Sequence, residues 1–149
     1  MAAVNRVYAA RLAGMVVLGP DGESIGRVRD VVVSISVVRQ QPRVLGFVVE
    51  LLTRRRIFVP ILRITAIEPN AVTLTTANVS LRRFAQRPGE VLVLGQIVDT
   101  RVRVKDPELP NLEGVDVVVA DLAIEQVRTR DWLVTVSYTH LTLPTTPYV

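Results

Sequence analysis

Valine occupies 29 of the 149 positions, and this density of β-branched side chains constrains the fold more than any other feature of the sequence. Branching at Cβ restricts χ1 in helices and suits a pleated strand. The valines fall in short apolar runs that turn-forming residues interrupt at close intervals. This pattern is typical of an all-β protein. A length of 149 residues suits one ordinary domain or two very small ones.

The first half of the chain predicts five or six short antiparallel strands. The turn at residues 19–22 combines glycine, proline and aspartate, so it predicts a hairpin between residues 14–18 and a long strand at 25–38. A bulge near Asp30 would keep the apolar side chains of that long strand in phase. Further strands are predicted at 44–52, 56–60 and 71–75. So many short strands indicate a small closed or half-closed barrel.

An internal repeat is a second organising feature. The run LAGMVV at 12–17 is echoed 81 positions later by VLGQIV at 93–98. Asp30 with its three following valines recurs 86 positions later at Asp116. The sequence therefore predicts two copies of one β module, with the second copy truncated.

These observations divide the chain into four segments. The first module covers 8–77 and the incomplete second module covers 90–136. Between them, Leu81, Phe84 and Ala85 have the i, i+3, i+4 spacing of one helix face, so a short linker helix is predicted within 78–89.

The last segment, 137–149, differs in composition from the rest. It holds four threonines, two of the three tyrosines and the only histidine, His140, but no acidic residue and no arginine. It resembles adaptor sequence translated onto a truncated gene. We therefore expect a non-native tail and assign no function to His140.

Composition excludes several classes of function. There is no cysteine, which excludes disulfides, thiolate catalysis and cysteine-bound zinc, and no histidine precedes residue 140. We therefore expect no enzyme activity, no cofactor and no metal site. No apolar run approaches the roughly 20 residues that span a bilayer, and the N-terminus has no signal-peptide core. A cytoplasmic protein without membrane insertion is the resulting prediction.

The middle of the first half resembles the opening of a PRC-barrel domain. That family begins with an apolar strand, then a D-G-x-x-I/L-G-K/R-V turn and strand, then an aspartate. Here the matching stretches are GMVV at 14–17 and DGESIGRVRDVVV at 21–33, with LGFVV at 45–49 and IFVP at 57–60 matching the middle strands. Gly22 would take a positive φ, and Gly26 would allow close backbone approach or a bend. The residues assigned a structural role in this motif and its second copy are Gly14, Asp21, Gly22, Gly26, Asp30, Gly95 and Asp116.

The tandem arrangement is similar to the N-terminal modules of actinobacterial proteins that continue into an MgtE-like N-domain and CBS domains. The resemblance implies a fragment of a magnesium-transporter-related regulatory protein that acts by docking between domains or onto a partner protein. The same barrel type occurs in the ribosome maturation factor RimM, so an RNA- or ribosome-associated module is the alternative. Fold alone is a weak guide between them.

Arg54, Arg55 and Arg56 form the one candidate anion-binding patch. The chain carries 18 basic against 14 acidic residues, a net charge of +4, which leaves room for an anionic partner. Consecutive arginines could bind phosphate, but a solvated turn is the simpler interpretation, because no aromatic side chain alternates with them to stack on bases.

Other acidic residues suggest ordinary loops and turns. Asp99, Asp106, Glu108 and Glu113 could surround Mg²⁺, but their spacing matches no compact ligand motif. Asp21 and Glu23 share a turn that offers no cleft for carboxylate catalysis. Unpaired edges around 117–119 and 133–136 predict self-association through the truncated module.

Overall fold

The computed structural model of the protein describes residues 4–35, 42–103, 114, 116–128, 131–135 and 141–142. The chain is mainly β, and its principal sheet curls into a half-barrel. The fold class predicted from the valine-rich runs is therefore confirmed. Short helical turns occur at three places only within the described residues.

The thirteen strands found in the described residues are β1 (Arg6–Tyr8), β2 (Val16–Leu18), β3 (Ser24–Ser34), β4 (Arg43–Leu51), β5 (Arg56–Pro60), β6 (Ile64–Ile67), β7 (Ala71–Leu74), β8 (Glu90–Leu92), β9 (Arg101–Arg103), β10 (Asp116–Val119), β11 (Ala123–Arg128), β12 (Asp131–Thr135) and β13 (Leu141–Thr142). The helical turns are α1 (Ala9–Leu12), a 3₁₀ turn (Ile61–Arg63) and a π turn (Val93–Ile97).

The principal sheet has ten strands. Its order is β1-β11-β12-β4-β3-β2-β7-β6, while β5 pairs with β4 and β8 pairs with β3. All these pairs are antiparallel except β2 with β7. The Val4 amide donates to the Ile67 carbonyl at 2.7 Å, which links the two ends of this path and curls the sheet. Strands β9, β10 and β13 form a second, three-stranded sheet.

Strand β3 carries much of the core. Its residues Val28, Val31, Val32 and Val33 are all fully buried. The register against β4 shifts between Val28 and Asp30, so the bulge predicted there is confirmed. This bulge shifts the phase of the strand, so that Val28 packs in the same core cluster as Val31 and Val33.

One hydrophobic core serves both halves of the chain. Phe47 and Leu12 from the first half lie in the same buried cluster as Val93, Ile124 and Trp132 from the second. Fully burying an aliphatic or aromatic side chain of this size contributes about 1.5 to 3 kcal/mol. Residues from both halves of the sequence therefore contribute to the hydrophobic stabilisation of one core.

The linker helix predicted within 78–89 is wrong. The segment is irregular and extended: Arg83 forms a β-bridge with Ile57, and the Phe84 amide donates to the Arg56 carbonyl at 2.7 Å. The Phe84 ring lies on Phe58 with centroids 6.2 Å apart. Because β5 offers its free edge and an aromatic contact, the segment bonds to it and does not close on itself.

Strands from 90–136 join the sheet of the first module. The β8 residues Val91 and Leu92 pair with Val33 and Val32, and Leu133 of β12 pairs with Arg43 of β4. Strand β11 pairs with β1 at the N-terminus. The sequence analysis places a module boundary at 78–89. In the structure, strands from the two sides of this boundary hydrogen-bond in one sheet.

Two short turns are held in corresponding ways by opposite halves of the chain. The turn α1 follows β1, and its Ala10 amide donates to the Asp121 carboxylate at 3.1 Å. The π turn follows β8, and its Leu94 and Gly95 amides donate to the Asp30 carboxylate at 2.7 and 2.9 Å. Each half therefore supplies the carboxylate that binds the turn of the other.

Asp30 and Asp121 have the same role, since each carboxylate accepts from backbone amides of a turn in the other half of the chain. The sequence repeat instead predicts Asp116 as the counterpart of Asp30. The backbone of Asp116 begins β10 and pairs with Arg103, whereas the structure does not describe the Asp116 side chain. The corresponding aspartates are thus 91 positions apart, where the sequence pattern gave 86. The origin of the two halves by duplication stays a prediction.

Of the predicted tail 137–149, only Leu141–Thr142 is described. These residues pair with Val119 and Val118 of β10. The prediction that the tail derives from adaptor sequence stays a prediction.

Candidate docking groove

The hairpin between β4 and β5 presents the most exposed apolar side chain of the described residues. The Leu51 amide donates to the Arg55 carbonyl and the Arg54 amide to the Leu51 carbonyl, both at 2.8 Å. Arg54 takes a left-handed conformation, with φ of 68°, to close this turn. Leu52 lies at the tip with 82% of its surface exposed. Leu52 becomes part of a candidate interaction surface only where other apolar side chains adjoin it.

The extended segment after residue 78 forms the second wall. Its attachment to β5 through Arg83 and Phe84 brings Leu81 beside the turn. The Arg55 guanidinium donates to the Leu81 carbonyl at 3.1 Å and ties the two walls together. Leu81 itself is 60% exposed.

Between the walls is an open groove of about 630 Å³. Its floor and sides are apolar, and three arginines stand along it. The residues that line it are Ile25, Leu51, Leu52, Thr53, Arg54, Arg55, Leu81 and Arg83. No acidic residue is among them.

The three consecutive arginines do not converge on one point. Arg56 forms an ion pair with Glu50 at 3.2 Å, and Arg55 donates to the Leu81 carbonyl. Arg54 has no ion pair or side-chain hydrogen bond with any residue that the structure describes. Of the predicted anion-binding patch, only Arg54 therefore presents an uncommitted guanidinium to the groove.

Glu50 is the acidic centre of the neighbouring surface. It pairs with Arg56 at 3.2 Å and with Arg29 at 3.3 Å. The hydrogen bond from Arg56 is the largest influence on the Glu50 carboxyl and lowers its pKa. Burial, the second largest, opposes it, but the hydrogen bond and charge of Arg29 and the charge of Arg56 add to the lowering, so the pKa lies below its ordinary value.

A second, smaller cleft of about 340 Å³ adjoins the groove. Arg27, Arg29, Glu50 and Arg54 line it, together with apolar residues of the groove. Arg27 donates to the Gly14 carbonyl at 2.9 Å. Arginines therefore outnumber carboxylates on this face of the molecule.

The glycines of the sequence motif lie at positions that a side chain would disturb. Gly14 and Gly22 have φ of 81° and 84°, and Gly22 closes the hairpin turn by donating to the Gly19 carbonyl. A Cβ on Gly26 would collide with the backbone carbonyl of Glu50. Asp21 is exposed at the turn. These residues shape the β2–β3 hairpin, which carries Ile25 to the groove.

Asp30 is the buried carboxylate of the motif, and the exposed Gly95 donates its amide to it. Asp30 is 8% exposed, and its carboxylate accepts from the Val31, Leu94 and Gly95 amides. Asp121 is 7% exposed and accepts from the Ala10 and Leu122 amides. These are structural bonds to backbone amides, and the clefts beside Leu52 lie elsewhere.

Sequence reasoning missed Asp121, Leu52 and Leu81. Asp121 is followed by Leu-Ala-Ile and not by the three valines that follow Asp30, so the sequence repeat does not identify it. The sequence predicts Leu52 as the last residue of a strand. It predicts Leu81 on one face of a helix, which does not form.

The acidic residues considered for Mg²⁺ do not come together within the described residues. Asp99 has φ of 67° in the turn before β9, and Asp106, Glu108 and Glu113 lie outside the described residues. No group of three or more histidine, cysteine, aspartate or glutamate side chains occurs in the part of the chain that is described. None of the helical turns in that part is long or apolar enough to cross a bilayer.

Comparison with known proteins gives one family match. A family model described as Actinomycetes SH3 domain matches residues 91–139, about a third of the chain. This model describes a small β-rich domain, which agrees with the strands found there. It is not the PRC-barrel model that the motif at 14–33 resembles. No curated protein matches the chain.

Proposed function

We propose that the chain is a non-catalytic docking module of the PRC-barrel kind, and that it belongs to a regulatory protein that continues into an MgtE-like N-domain and CBS domains. The observation that carries the docking function is the groove between Leu52 and Leu81. Large exposed apolar side chains lie there on a scaffold fixed by backbone hydrogen bonds. Exposed apolar surface of this kind marks interaction sites.

The family match supports the same function coarsely. Small β-rich domains of the SH3 type are often protein-interaction modules, and residues 91–139 match one from actinomycetes. The matched segment includes Val91 and Leu92 of β8, which pair with β3, and the π turn whose Val93 is buried in the core. The groove itself is lined by residues before position 91.

The identity of the parent protein is tested at its gene. Sequencing the source locus across the Val136 codon reads the natural continuation of the chain. An open frame that encodes an MgtE-like N-domain and CBS domains is the expected result. Uninterrupted genomic coding of the present tail, or a continuation into an RNA-binding domain, would contradict the proposed parent.

The docking function is tested by binding in solution. Isothermal titration calorimetry measures the affinity between the full chain and the separately purified region encoded after Val136. We expect Leu52→Ser to weaken binding about tenfold or more, because a buried leucine contributes about 1.5 to 3 kcal/mol. Leu62 is 57% exposed on the 3₁₀ turn outside the groove, so Leu62→Ser is the matched control. Equal loss in both variants, or no binding by the unmodified chain, would argue against docking at this groove.

A further inference from the structure

We propose that the occupant of the groove is an acidic protein segment that carries leucine-like side chains. The inference rests on the docking function proposed above and adds the chemistry of the partner. Two properties of the groove define that chemistry. Its walls are apolar, and its charged residues are all arginines.

Positive charge on this surface is not balanced by the chain itself. Arg54, Arg55 and Arg83 line the groove, and Arg27 and Arg29 line the adjoining cleft. The two clefts together contain one carboxylate, that of Glu50, against these five arginines.

That one carboxylate is already committed. Glu50 accepts from Arg29 and from Arg56, which lies outside the groove lining. Arg54 and Arg83 line the groove, and neither forms an ion pair with a carboxylate that the structure describes. A partner with glutamate or aspartate would provide charge-assisted hydrogen bonds to these guanidinium groups.

The apolar lining decides between a protein and a nucleic acid. Leu51, Leu52, Leu81 and Ile25 offer contact to aliphatic side chains. Neither cleft is lined by an aromatic side chain on which a base could stack. The combination favours a segment in which apolar residues are interspersed with acids.

The two components have separate roles in binding. Burial of leucine side chains against Leu52 and Leu81 provides most of the affinity. The arginines accelerate encounter with an acidic partner and reject a basic one. Binding should therefore weaken with added salt but persist through its apolar part.

Fluorescence anisotropy with the full chain tests this inference. The probe is a fluorescein-labelled peptide of 12 residues with three leucines separated by glutamates. Two comparison peptides carry lysine in place of glutamate, or serine in place of leucine. We expect the glutamate–leucine peptide to bind about tenfold tighter than either comparison peptide, because each lacks one of the two required properties.

Charge-reversal variants assign the selectivity to the groove. Arg54→Glu should weaken binding of the glutamate–leucine peptide roughly fivefold and strengthen binding of the lysine–leucine peptide. Arg63 is an exposed arginine on the 3₁₀ turn outside the groove, so Arg63→Glu is the matched control and should change neither affinity. Thermal unfolding of each variant verifies that the fold is retained.

Each other outcome has a defined meaning. Equal affinity for the lysine and glutamate peptides, lost in Leu52→Ser, would overturn the acidic partner and leave docking in place. Tighter binding of a labelled 20-nucleotide single-stranded RNA, weakened by Arg54→Glu, would overturn it in favour of a nucleic acid. If no peptide binds while calorimetry detects the downstream region, the acidic segment is wrong and the docking function stands.

Discussion

Glu50 shows how one side chain organises the charge of this surface. Its carboxylate pairs with both Arg29 and Arg56, from strands on either side of β4. An exposed pair of this kind contributes little to stability by itself. Its larger effect is to pair with these two arginines and leave Arg54, Arg55 and Arg83 as the cations of the groove.

The lowered pKa of Glu50 predicts a pH dependence of stability. Because its pKa in the folded chain lies below the ordinary value of 4.5, the stabilisation is present above that value and is lost as the pH falls through the folded pKa. Glu50→Gln should therefore flatten the fall in thermal unfolding temperature between about pH 5 and pH 3. Glu23→Gln, which removes an exposed carboxylate of the β2–β3 turn, is the control. A wild-type slope in Glu50→Gln would refute the assignment.

At the scale of elements, local chemistry predicts strands well and the segment 78–89 poorly. Turn residues at 19–22 and the valine runs identify β2, β3 and β4 because each signal lies within a few residues. The helix expected around Leu81 and Phe84 does not form, because Phe84 packs on Phe58 of β5 and Arg83 forms a β-bridge with Ile57. The spacing of apolar residues alone does not determine which other part of the chain they will pack against.

Pairing across the sequence is beyond local signals. The register of β12 on β4, and of β11 on β1, depends on how the curled sheet closes around its core. The candidate site is likewise only partly predictable from the sequence. The run of arginines at 54–56 indicates a charged turn, but the exposure of Leu52 depends on the conformation of that turn. Asp121 carried no motif of its own.

The two buried aspartates predict that a substitution in one half of the chain destabilises a turn in the other half. Asp121→Ala removes the acceptor of the Ala10 amide, and Asp30→Ala removes that of the Leu94 and Gly95 amides. Loss of such a buried acceptor should destabilise the protein by about 1 to 3 kcal/mol.

Hydrogen exchange localises this effect. Asp121→Ala should raise exchange at Ala10 in the first half, while Asp30→Ala should raise it at Leu94 in the second. Asp21→Ala, at an exposed turn, should change stability by less than about 0.5 kcal/mol. Unchanged exchange at Ala10 in Asp121→Ala would show that the contact is unimportant.

At the scale of the whole molecule, shared strands make the first half dependent on the second. A chain that ends at residue 77 lacks β8 beside β3 and β11 beside β1, so buried valines such as Val7 and Val33 lose their cover. We expect residues 1–77 to unfold in guanidinium at lower concentration and with a shallower transition than residues 1–136. An identical midpoint would show that the first half is independent.

Light scattering on the same two chains tests the predicted self-association. Strand β10 pairs with both β9 and β13, and β12 with both β11 and β4, so the unpaired edges predicted around 117–119 and 133–136 are not found there. We therefore expect residues 1–77, whose buried valines lose their cover, to form larger species than residues 1–136. Larger species of residues 1–136 would contradict this expectation.

The bond between the Ala10 amide and Asp121 spans 111 positions, and it affects how the protein is made. During synthesis the first twelve residues leave the ribosome long before the strand that receives them exists. Closing so long a loop is slow. Val7 in β1 therefore lacks its partner Ile124 in β11 until that strand has been synthesised, and chaperones would meet it in that interval.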